Sequence, residues 1–397
     1  MRWNRVFVIV LDSVGIGELP DAESYGDRGA HTLGHIAERA SDFRLPNLQA
    51  LGLANIAPLH NIAPVEMPRA SYGKMAEQSV GKDTMTGHWE LMGLKITTPF
   101  HTYPDGFPAS LISEFERLTG RAVLANKPAS GTEILEEYGA RQMASGDWIV
   151  YTSADSVLQI AAHEEVIPLI ELYRACEVAR ELTMRAEWMV GRVIARPYVG
   201  QPGAFVRTAN RHDYAVAPPQ PTLLNRLQDA GFATISIGKI NDIFCGEGIS
   251  ASHPTKSNDD GVDKLLEVAS QSFQGLCFAN LVDFDSLYGH RRDVQGYANA
   301  LMRFDERLSQ LMELMRAGDA LIITADHGND PTHHGTDHTR EYVPLLIYEP
   351  AANSAANHPV HLGVRATFAD LSATIADNFN VTFTTHGESF LRLLSKQ

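Results

Sequence analysis

Short apolar runs in this sequence are repeatedly followed by aspartate, and this pattern constrains the fold more than any other feature. The runs cover residues 6–11, 148–151, 278–282 and 321–323, and the aspartates after them are Asp12, Asp155, Asp283 with Asp285, and Asp326. Continuous apolar runs are typical of parallel strands covered by helices on both faces. Ligands of such sheets bind outside the carboxyl ends of the strands, where these aspartates would meet. One aspartate after a strand is usually a turn former, but four accompanied by histidines favour a site.

Amphipathic segments between the runs predict the helices of an α/β fold with a mainly parallel sheet. Residues 299–316 have the clearest apolar stripe at three- and four-residue spacing, and residues 169–185 and 259–271 share the pattern. The length of 397 residues exceeds one ordinary core, so we expect two domains. The middle segment has its own strand and helix signals, which predicts a smaller α+β domain, residues 101–218, inserted into a core of residues 1–100 and 219–397.

Charge and cysteine content exclude several classes of function. The formal net charge of −15 argues against nucleic acid as the main partner, because phosphate backbones require a basic surface. No apolar run approaches the ~20 residues that span a bilayer, so we expect no membrane segment. The three cysteines are widely spaced and form no CxxC pair, which predicts neither a disulfide framework nor a zinc knuckle. We therefore expect a cytoplasmic protein, and a small anionic substrate remains compatible with its charge.

The strongest chemical signal is TADHGND followed by GTDHTR, near the end of the chain. A strand end would present Asp326 and His327 together, and the following loop would return His338. Carboxylate oxygen and imidazole nitrogen are ligands that suit Mn²⁺, Zn²⁺ and related ions. The neighbouring His333 and His334 are weaker candidates, because adjacent histidines on a loop are more often surface residues.

Two further segments add candidate metal ligands. Asp285 and His290 lie five residues apart just after a predicted strand, so a turn would fold the imidazole back toward the carboxylate. The alternative for this pair is a helix cap with an unrelated histidine. Asp12 ends the first predicted strand, and small residues follow it. The glycines after Asp12 do not match the GxGxxG dinucleotide fingerprint.

The segment GKDTMTGHWE supplies hydroxyl groups beside a lysine at a predicted helix start. Helix N-termini favour phosphate through free N–H groups and the helix dipole. A threonine hydroxyl needs activation to act as a nucleophile, and a divalent cation provides it. An ordinary helix cap is the alternative interpretation of this segment. Two cations ~3.5–4 Å apart would clamp the attacking and leaving oxygens of a phosphoryl transfer.

These motifs, taken in order, resemble the bacterial phosphopentomutase family of the alkaline phosphatase superfamily. The resemblance covers essentially the whole chain. It includes DSVGIGELPDA at Asp12, GKDTMTGHWELMG around Thr84, LVDFDSLYGHRRD around Asp285, and TADHGNDPTHHGTDHTREYVPLL around Asp326. The resemblance implies an alkaline-phosphatase-like core with an inserted cap domain. It also implies interconversion of α-D-ribose 1-phosphate and ribose 5-phosphate, and of the 2-deoxyribose pair.

The resemblance also assigns roles to residues. It implies two Mn²⁺ ions, one held by Asp12, Asp326 and His327 and the other by Asp285, His290 and His338. Thr84, rather than Thr86, would carry the phosphoryl group, and a sugar bisphosphate would serve as intermediate and activator. The cations that match the family's sugar-phosphate ligands are Arg192, Arg207 and Lys239, and Asp155 would orient the substrate.

Rival functions lie mostly within the same superfamily. The cation ligands alone do not exclude a cofactor-independent phosphoglycerate mutase, a phosphatase or a sulfatase. Those phosphoglycerate mutases use a serine nucleophile and sulfatases need a modifiable cysteine or serine, whereas this sequence offers Thr84. A non-catalytic metal-binding protein is disfavoured, because a nucleophile lies between two complete sets of ligands.

Overall fold

The computed structural model describes residues 1–153, 156–350 and 358–395. The chain divides into two compact units. The first contains Met1–Thr97 and Pro218–Gln397, and the second is Thr98–Ala217. The sequence analysis had placed the divisions at residues 100/101 and 218/219. The second unit is thus an insertion into the chain of the first.

The strands of the described residues form two sheets. In chain order the strands are β1 (Arg5–Leu11), β2 (Ser71–Met75), β3 (Val123–Pro128), β4 (Trp148–Thr152), β5 (Val157–His163), β6 (Arg192–Val199), β7 (Val206–Arg207), β8 (His212–Ala215), β9 (Ala233–Ile237), β10 (Ala251–His253), β11 (Gly275–Leu281), β12 (Asp319–Thr324), β13 (Val343–Tyr348) and β14 (His361–Arg365).

The α-helices of the described residues lie between these strands, except for the last, which follows β14. They are α1 (Thr32–Arg39), α2 (Pro46–Leu51), α3 (Leu53–Ile56), α4 (Thr84–Leu91), α5 (Ala109–Thr119), α6 (Glu133–Ser145), α7 (Leu169–Leu182), α8 (Leu223–Asp229), α9 (Ile240–Ile243), α10 (Asn258–Ser270), α11 (Val294–Leu314) and α12 (Ala369–Phe379). A π-helical turn, Phe284–Gly289, follows β11, and short 3₁₀ turns occupy Ala22–Tyr25 and Leu393–Ser395.

The first unit is built on an eight-stranded sheet in the order β10-β9-β11-β1-β12-β13-β2-β14. Neighbouring strands are parallel from β10 through β9, β11 and β1 to β12. Strand β13 runs antiparallel to both β12 and β2. Every residue of β1, β11 and β12 is buried. Burial on both faces explains their unbroken apolar sequences. The predicted mainly parallel sheet flanked by helices is confirmed.

The second unit has a mixed sheet in the order β3-β4-β5-β6-β7, with β8 paired to β6. Helices α5 and α7 pack on one face around Trp148 and Cys176, and α6 packs on the other around Ile134 and Tyr198. The apolar run at residues 148–151 therefore belongs to this sheet and not to the sheet of the first unit. The prediction that all four runs would end at one sheet edge is wrong for this run, because an apolar pattern does not reveal which sheet buries it.

Helix boundaries follow local capping. Helix α4 begins at Thr84 because the Asp83 side chain accepts hydrogen bonds from the N–H groups of Met85 and Thr86. Helix α11 begins five residues before the predicted segment, because Asp293 accepts a hydrogen bond from the N–H of Gly296. Its apolar stripe, which includes Leu301, Leu308 and Leu311, is buried as expected.

Candidate active site

The carboxyl ends of three adjacent central strands bring the predicted aspartates of the first unit together. In the register of the sheet, Leu11 of β1 lies beside Leu281 of β11, and Val10 lies beside Thr324 of β12. Asp12 directly follows β1, and Asp326 comes two residues after β12. Asp285 lies in the π-helical turn after β11. Parallel strands thus deliver three carboxylates to one edge, as expected for an open α/β sheet.

A first donor group consists of Asp12, Asp326 and His327. Their ligand atoms all lie within 4.8 Å of one another, and all three residues are buried. His327 Nε2 is 3.5 Å from Asp12 Oδ1 and 3.3 Å from Asp326 Oδ2. These two carboxylate oxygens are buried and accept no hydrogen bond of good geometry from the described residues. Since an unsatisfied buried carboxylate oxygen is costly, the group fits a cation.

A second donor group consists of Asp285, His327 and His338, again within 4.8 Å. His327 is therefore common to both groups. His290 borders the second group, with Nε2 3.0 Å from Asp285 Oδ2 and 3.1 Å from His338 Nε2. Its Nδ1 lies 2.7 Å from the carbonyl oxygen of Thr336. A carbonyl only accepts, so Nδ1 carries the proton and Nε2 offers its lone pair to a cation.

The charges of the site are strongly coupled. Burial, together with the negative charges of Asp326 and Asp285, raises the pKa of Asp12 to about 7. Burial alone would lower the pKa of His327, but the carboxylates of Asp326, Asp12 and Asp285 raise it to about 9. Three crowded carboxylates therefore demand compensating positive charge, which a protonated imidazole supplies in part and a divalent cation would supply more fully.

Thr84 and not Thr86 faces these groups. Thr84 Oγ1 lies 3.3 Å from His327 Nε2. The Thr86 hydroxyl is buried and lies 2.8 Å from Asp83 Oδ2, as part of the capping box. The resemblance of the motif had favoured Thr84 over Thr86; composition could not distinguish the two hydroxyls, whereas their hydrogen bonds do.

The predicted phosphate-binding role of the helix N-terminus needs correction. Asp83 already accepts from the N–H groups of Met85 and Thr86, so these donors are not free for phosphate. The ammonium group of Lys82 lies 3.0 Å from Asp27 and 3.1 Å from Asp337. The start of α4 therefore fixes the position of Thr84 more than it offers open donors.

Two buried residues near Thr84 were not found from the sequence, namely His88 of α4 and Asn280 of β11. His88 Nδ1 lies 2.8 Å from the carbonyl oxygen of Thr84, and Asn280 Nδ2 donates to Asp12 Oδ2 at 2.8 Å. Gly87 permits a close approach, because a Cβ at this position would lie 2.2 Å from the main-chain oxygen of Asp326. An asparagine within an otherwise apolar strand was the available signal for Asn280.

Other predicted residues lie apart from the donor groups. The Nε2 atoms of His333 and His334 lie 3.2 and 2.8 Å from the carbonyl oxygen of Gly26. Asp283 accepts a hydrogen bond from the N–H of Asn258, where α10 begins. Lys239 is exposed and follows β9 at the same edge of the sheet. Asp155 lies outside the described residues.

The second unit contains a pocket of about 320 Å³ lined by four arginines. Arg192 and Arg207 had been predicted to bind the substrate, and Arg196 and Arg211 join them. Arg192 and Arg196 share one face of β6 because they are four residues apart on a strand. Gln159 Oε1 accepts from Arg196 Nε at 3.0 Å, and Asp213 pairs with Arg211 at 2.6 Å. Such a concentration of guanidinium groups suits a phosphate or another anion.

Comparisons with known proteins identify a family for nearly the whole chain. Residues 4–382 match the metalloenzyme superfamily. The PH0037 protein from Pyrococcus horikoshii is similar in structure, with 14% identity, a TM-score of 0.49, and coverage of 98% of this chain and 100% of that chain. A phosphoglycerate mutase from Leishmania mexicana, solved at low cobalt concentration, has 12% identity, a TM-score of 0.48, and coverage of 98% and 97%. Among the residues that the structure describes, no helix is long and apolar enough to cross a membrane.

Proposed function

From the premise that this chain belongs to the metalloenzyme superfamily, whose core fold is alkaline-phosphatase-like, we propose that it is a phosphopentomutase. It would interconvert α-D-ribose 1-phosphate, or 2-deoxyribose 1-phosphate, and the 5-phosphate. The observation that carries the proposal is the position of Thr84 Oγ1, 3.3 Å from the imidazole common to both donor groups. A hydroxyl beside two clustered sets of carboxylates and imidazoles supports phosphoryl transfer through a phosphothreonine.

The donor set supports two divalent cations, which we propose to be Mn²⁺. Asp12, Asp326 and His327 would hold one, and Asp285, His290 and His338 would hold the other. Bound cations would lower the pKa of the Thr84 hydroxyl and neutralise charge on the phosphoryl oxygens. Mixed carboxylate and imidazole ligands are compatible with Mn²⁺ and with several other ions, so the choice of Mn²⁺ rests on the family resemblance of the motifs.

The proposed reaction consists of two phosphoryl transfers through Thr84. Phospho-Thr84 would give its phosphoryl group to the free hydroxyl of a pentose phosphate, which produces a pentose bisphosphate. Thr84 would then take the other phosphoryl group back and release the isomer. His88 and Asp83 fix the first turn of α4, which carries Thr84, through the carbonyl of Thr84 and the N–H of Met85. A fixed nucleophile reduces the entropic cost of each transfer.

We propose that two separate sets of cations contribute to binding of the pentose phosphate, namely the arginines of the pocket in the second unit and Lys239 in the first unit. Arg192 and Arg207 line the pocket, and Arg196 is held by Gln159. Guanidinium groups bind phosphate oxygens through paired, charge-assisted hydrogen bonds. A site that recognises a second phosphate would favour a mutase over a simple phosphatase, since it would retain the pentose bisphosphate between the two transfers.

A coupled assay of ribose 1-phosphate conversion, with and without Mn²⁺, tests the proposal. Thr84→Ala should reduce turnover to background, Thr84→Ser should retain part of it, and phosphopeptide mapping should find the phosphoryl group on Thr84. Full mutase activity in Thr84→Ala would overturn the scheme. Turnover of phosphoglycerate or of a simple phosphate ester in place of pentose phosphates would instead favour the phosphoglycerate mutase or phosphatase alternative.

A further inference from the structure

Arg292, just after the turn that carries His290, makes an unusual number of hydrogen bonds. Its guanidinium reaches one side-chain oxygen, on Asn329, at 2.5 Å. Its other acceptors are main-chain carbonyls, and they belong to Gly289 (3.0 Å), Asp330 (3.0 Å), Gly335 (2.7 Å), Asp337 (3.0 Å) and His334 (3.5 Å). An arginine is thus used to organise backbone rather than to pair with a carboxylate.

The contact with Asn329 determines how that amide is oriented. A guanidinium only donates hydrogen bonds, so the oxygen Asn329 Oδ1 must face Arg292. The NH₂ group of Asn329 must then point the other way, and it donates to Asp285 Oδ1 at 2.8 Å. Asn329 is fully buried, and a Cβ at Gly289 would lie 2.7 Å from its Nδ2. A reversed amide would lose both of these hydrogen bonds, so Arg292 fixes the orientation in which Asn329 donates to Asp285.

The same guanidinium joins two segments that carry imidazoles. Its carbonyl acceptors at Asp330, Gly335 and Asp337 span the loop that leads to His338, and Gly289 directly precedes His290. Arg292 itself adopts a left-handed backbone with φ of 56°. This conformation is strained for a residue with a side chain, so the contacts of Arg292 must outweigh the strain.

We propose that Arg292 is a positioning residue for the second donor group alone. It orients Asp285 through Asn329 and holds the His338 loop against the His290 turn. No hydrogen bond or ion pair of the described structure links Arg292 directly to Asp12, Asp326 or His327. Loss of the guanidinium should therefore weaken one cation site and spare the other. This inference rests on the two-cation site of the proposed function.

Titration of the metal-free, full-length protein with Mn²⁺ tests the inference, with free Mn²⁺ followed by electron paramagnetic resonance. The unmodified protein should bind two ions. In Arg292→Ala and Arg292→Lys the affinity for one ion should fall about 10–100-fold, as is usual when residues that support metal ligands are lost, and the other should be unchanged. Lysine keeps the charge but lacks the planar fork, so it should not rescue the site.

Two further variants separate the role of Arg292 from general disruption. Arg291→Ala removes the neighbouring, exposed arginine and should leave both affinities unchanged. Asn329→Asp keeps an acceptor for Arg292 but replaces the donor to Asp285 with a negative charge, so it should weaken the same single site. Thermal unfolding of the metal-free variants shows which of them fold, and Arg292→Lys serves if Arg292→Ala does not.

The outcomes are distinguishable. Two unchanged affinities in folded Arg292→Lys and Asn329→Asp would overturn the inference and leave the proposed function intact. Equal weakening of both sites would also overturn it, since a general structural role would act in that way. An unmodified protein that binds fewer than two ions would overturn the two-cation proposal together with this inference.

Discussion

The two donor groups of the site are supported by different kinds of structure. Asp12 directly follows β1, Asp326 and His327 come two and three residues after β12, and the three side chains are at most 1% exposed. In the second group Asp285 lies on a turn, and the side chains of His290 and His338 are 34% and 12% exposed. The first group thus lies buried beside the central strands, whereas Asp285 of the second group is held by a side-chain hydrogen bond from Asn329. We therefore expect the first group to be the rigid half of the candidate site and the more exposed second group to be its adjustable half.

The largest predicted effect comes from the rigid half. Asp326→Asn removes a buried negative charge with little change in shape. We expect kcat/KM for ribose 1-phosphate to fall about 10³-fold or more, because the proposed phosphoryl transfer depends mainly on electrostatic stabilisation. Added Mn²⁺ should not restore activity. Asp283→Asn is the matched control, since Asp283 binds the N–H of Asn258 instead. A loss below tenfold in Asp326→Asn would show that the first group is not essential.

A smaller effect is expected in the adjustable half. His290→Ala should reduce activity about 10–100-fold at low Mn²⁺, and excess Mn²⁺ should restore most of it by mass action, because water can replace a partly exposed ligand. Activity measured over a range of Mn²⁺ concentrations gives the shift in half-saturation. His333→Ala is the control, since its imidazole contacts the Gly26 carbonyl. If excess Mn²⁺ failed to restore the activity of His290→Ala, as we expect for Asp326→Asn, the two halves of the site would not differ in the way proposed.

The pH dependence of cation binding should show whether His327 and Asp12 of the first group release protons when a cation binds. In the metal-free protein the pKa of His327 is raised to about 9 and the pKa of Asp12 to about 7, so each group carries a proton below that pH. A cation must displace these protons, so affinity should rise with pH, by at most about tenfold per pH unit for one released proton between pH 7 and 9. Calorimetry in buffers of different ionisation enthalpy counts the protons. Binding without proton release at pH 8 would contradict the coupling.

The smallest effect should come from outside both donor groups. Arg207→Ala in the arginine pocket should raise KM for pentose phosphate about fivefold, because Arg207 is exposed and such contacts are weak. Mn²⁺ affinity should not change. Arg174→Ala, an exposed arginine of α7 that does not line the pocket, is the control. A change in Mn²⁺ binding in Arg207→Ala would show that the pocket is not independent of the donor groups.

The fold was predictable where burial alone decides it. The apolar runs before Asp12 and Asp326 correspond to β1 and β12, because strands buried on both faces need continuous apolar sequence. The antiparallel strand β13 was not predicted, although its sequence VPLLIY is equally apolar. The direction of a strand depends on its connections and partners, which a local pattern does not contain.

The candidate site was predictable to the extent that its chemistry is distinctive. Asp12, Asp285 and His327 could be recognised as candidate cation ligands because aspartate and histidine are common ligands of metal ions. Asn280, Asn329 and Arg292 carry no comparable signal, since amides and guanidinium groups serve many purposes. Their roles depend on which acceptors the fold brings within reach, such as Asp285 beside Asn329.

The contact between Gly87 and Asp326 has a consequence for how the enzyme could acquire new substrates. A Cβ at Gly87 would lie 2.2 Å from the main-chain oxygen of Asp326, so no side chain separates the backbone of α4 from the segment that carries Asp326 and His327. The distance between these two backbones therefore does not depend on a side-chain rotamer at position 87. Natural variation or laboratory evolution could therefore change the arginine pocket of the second unit, to which we assign phosphate binding, while this backbone distance in the first unit stays constant.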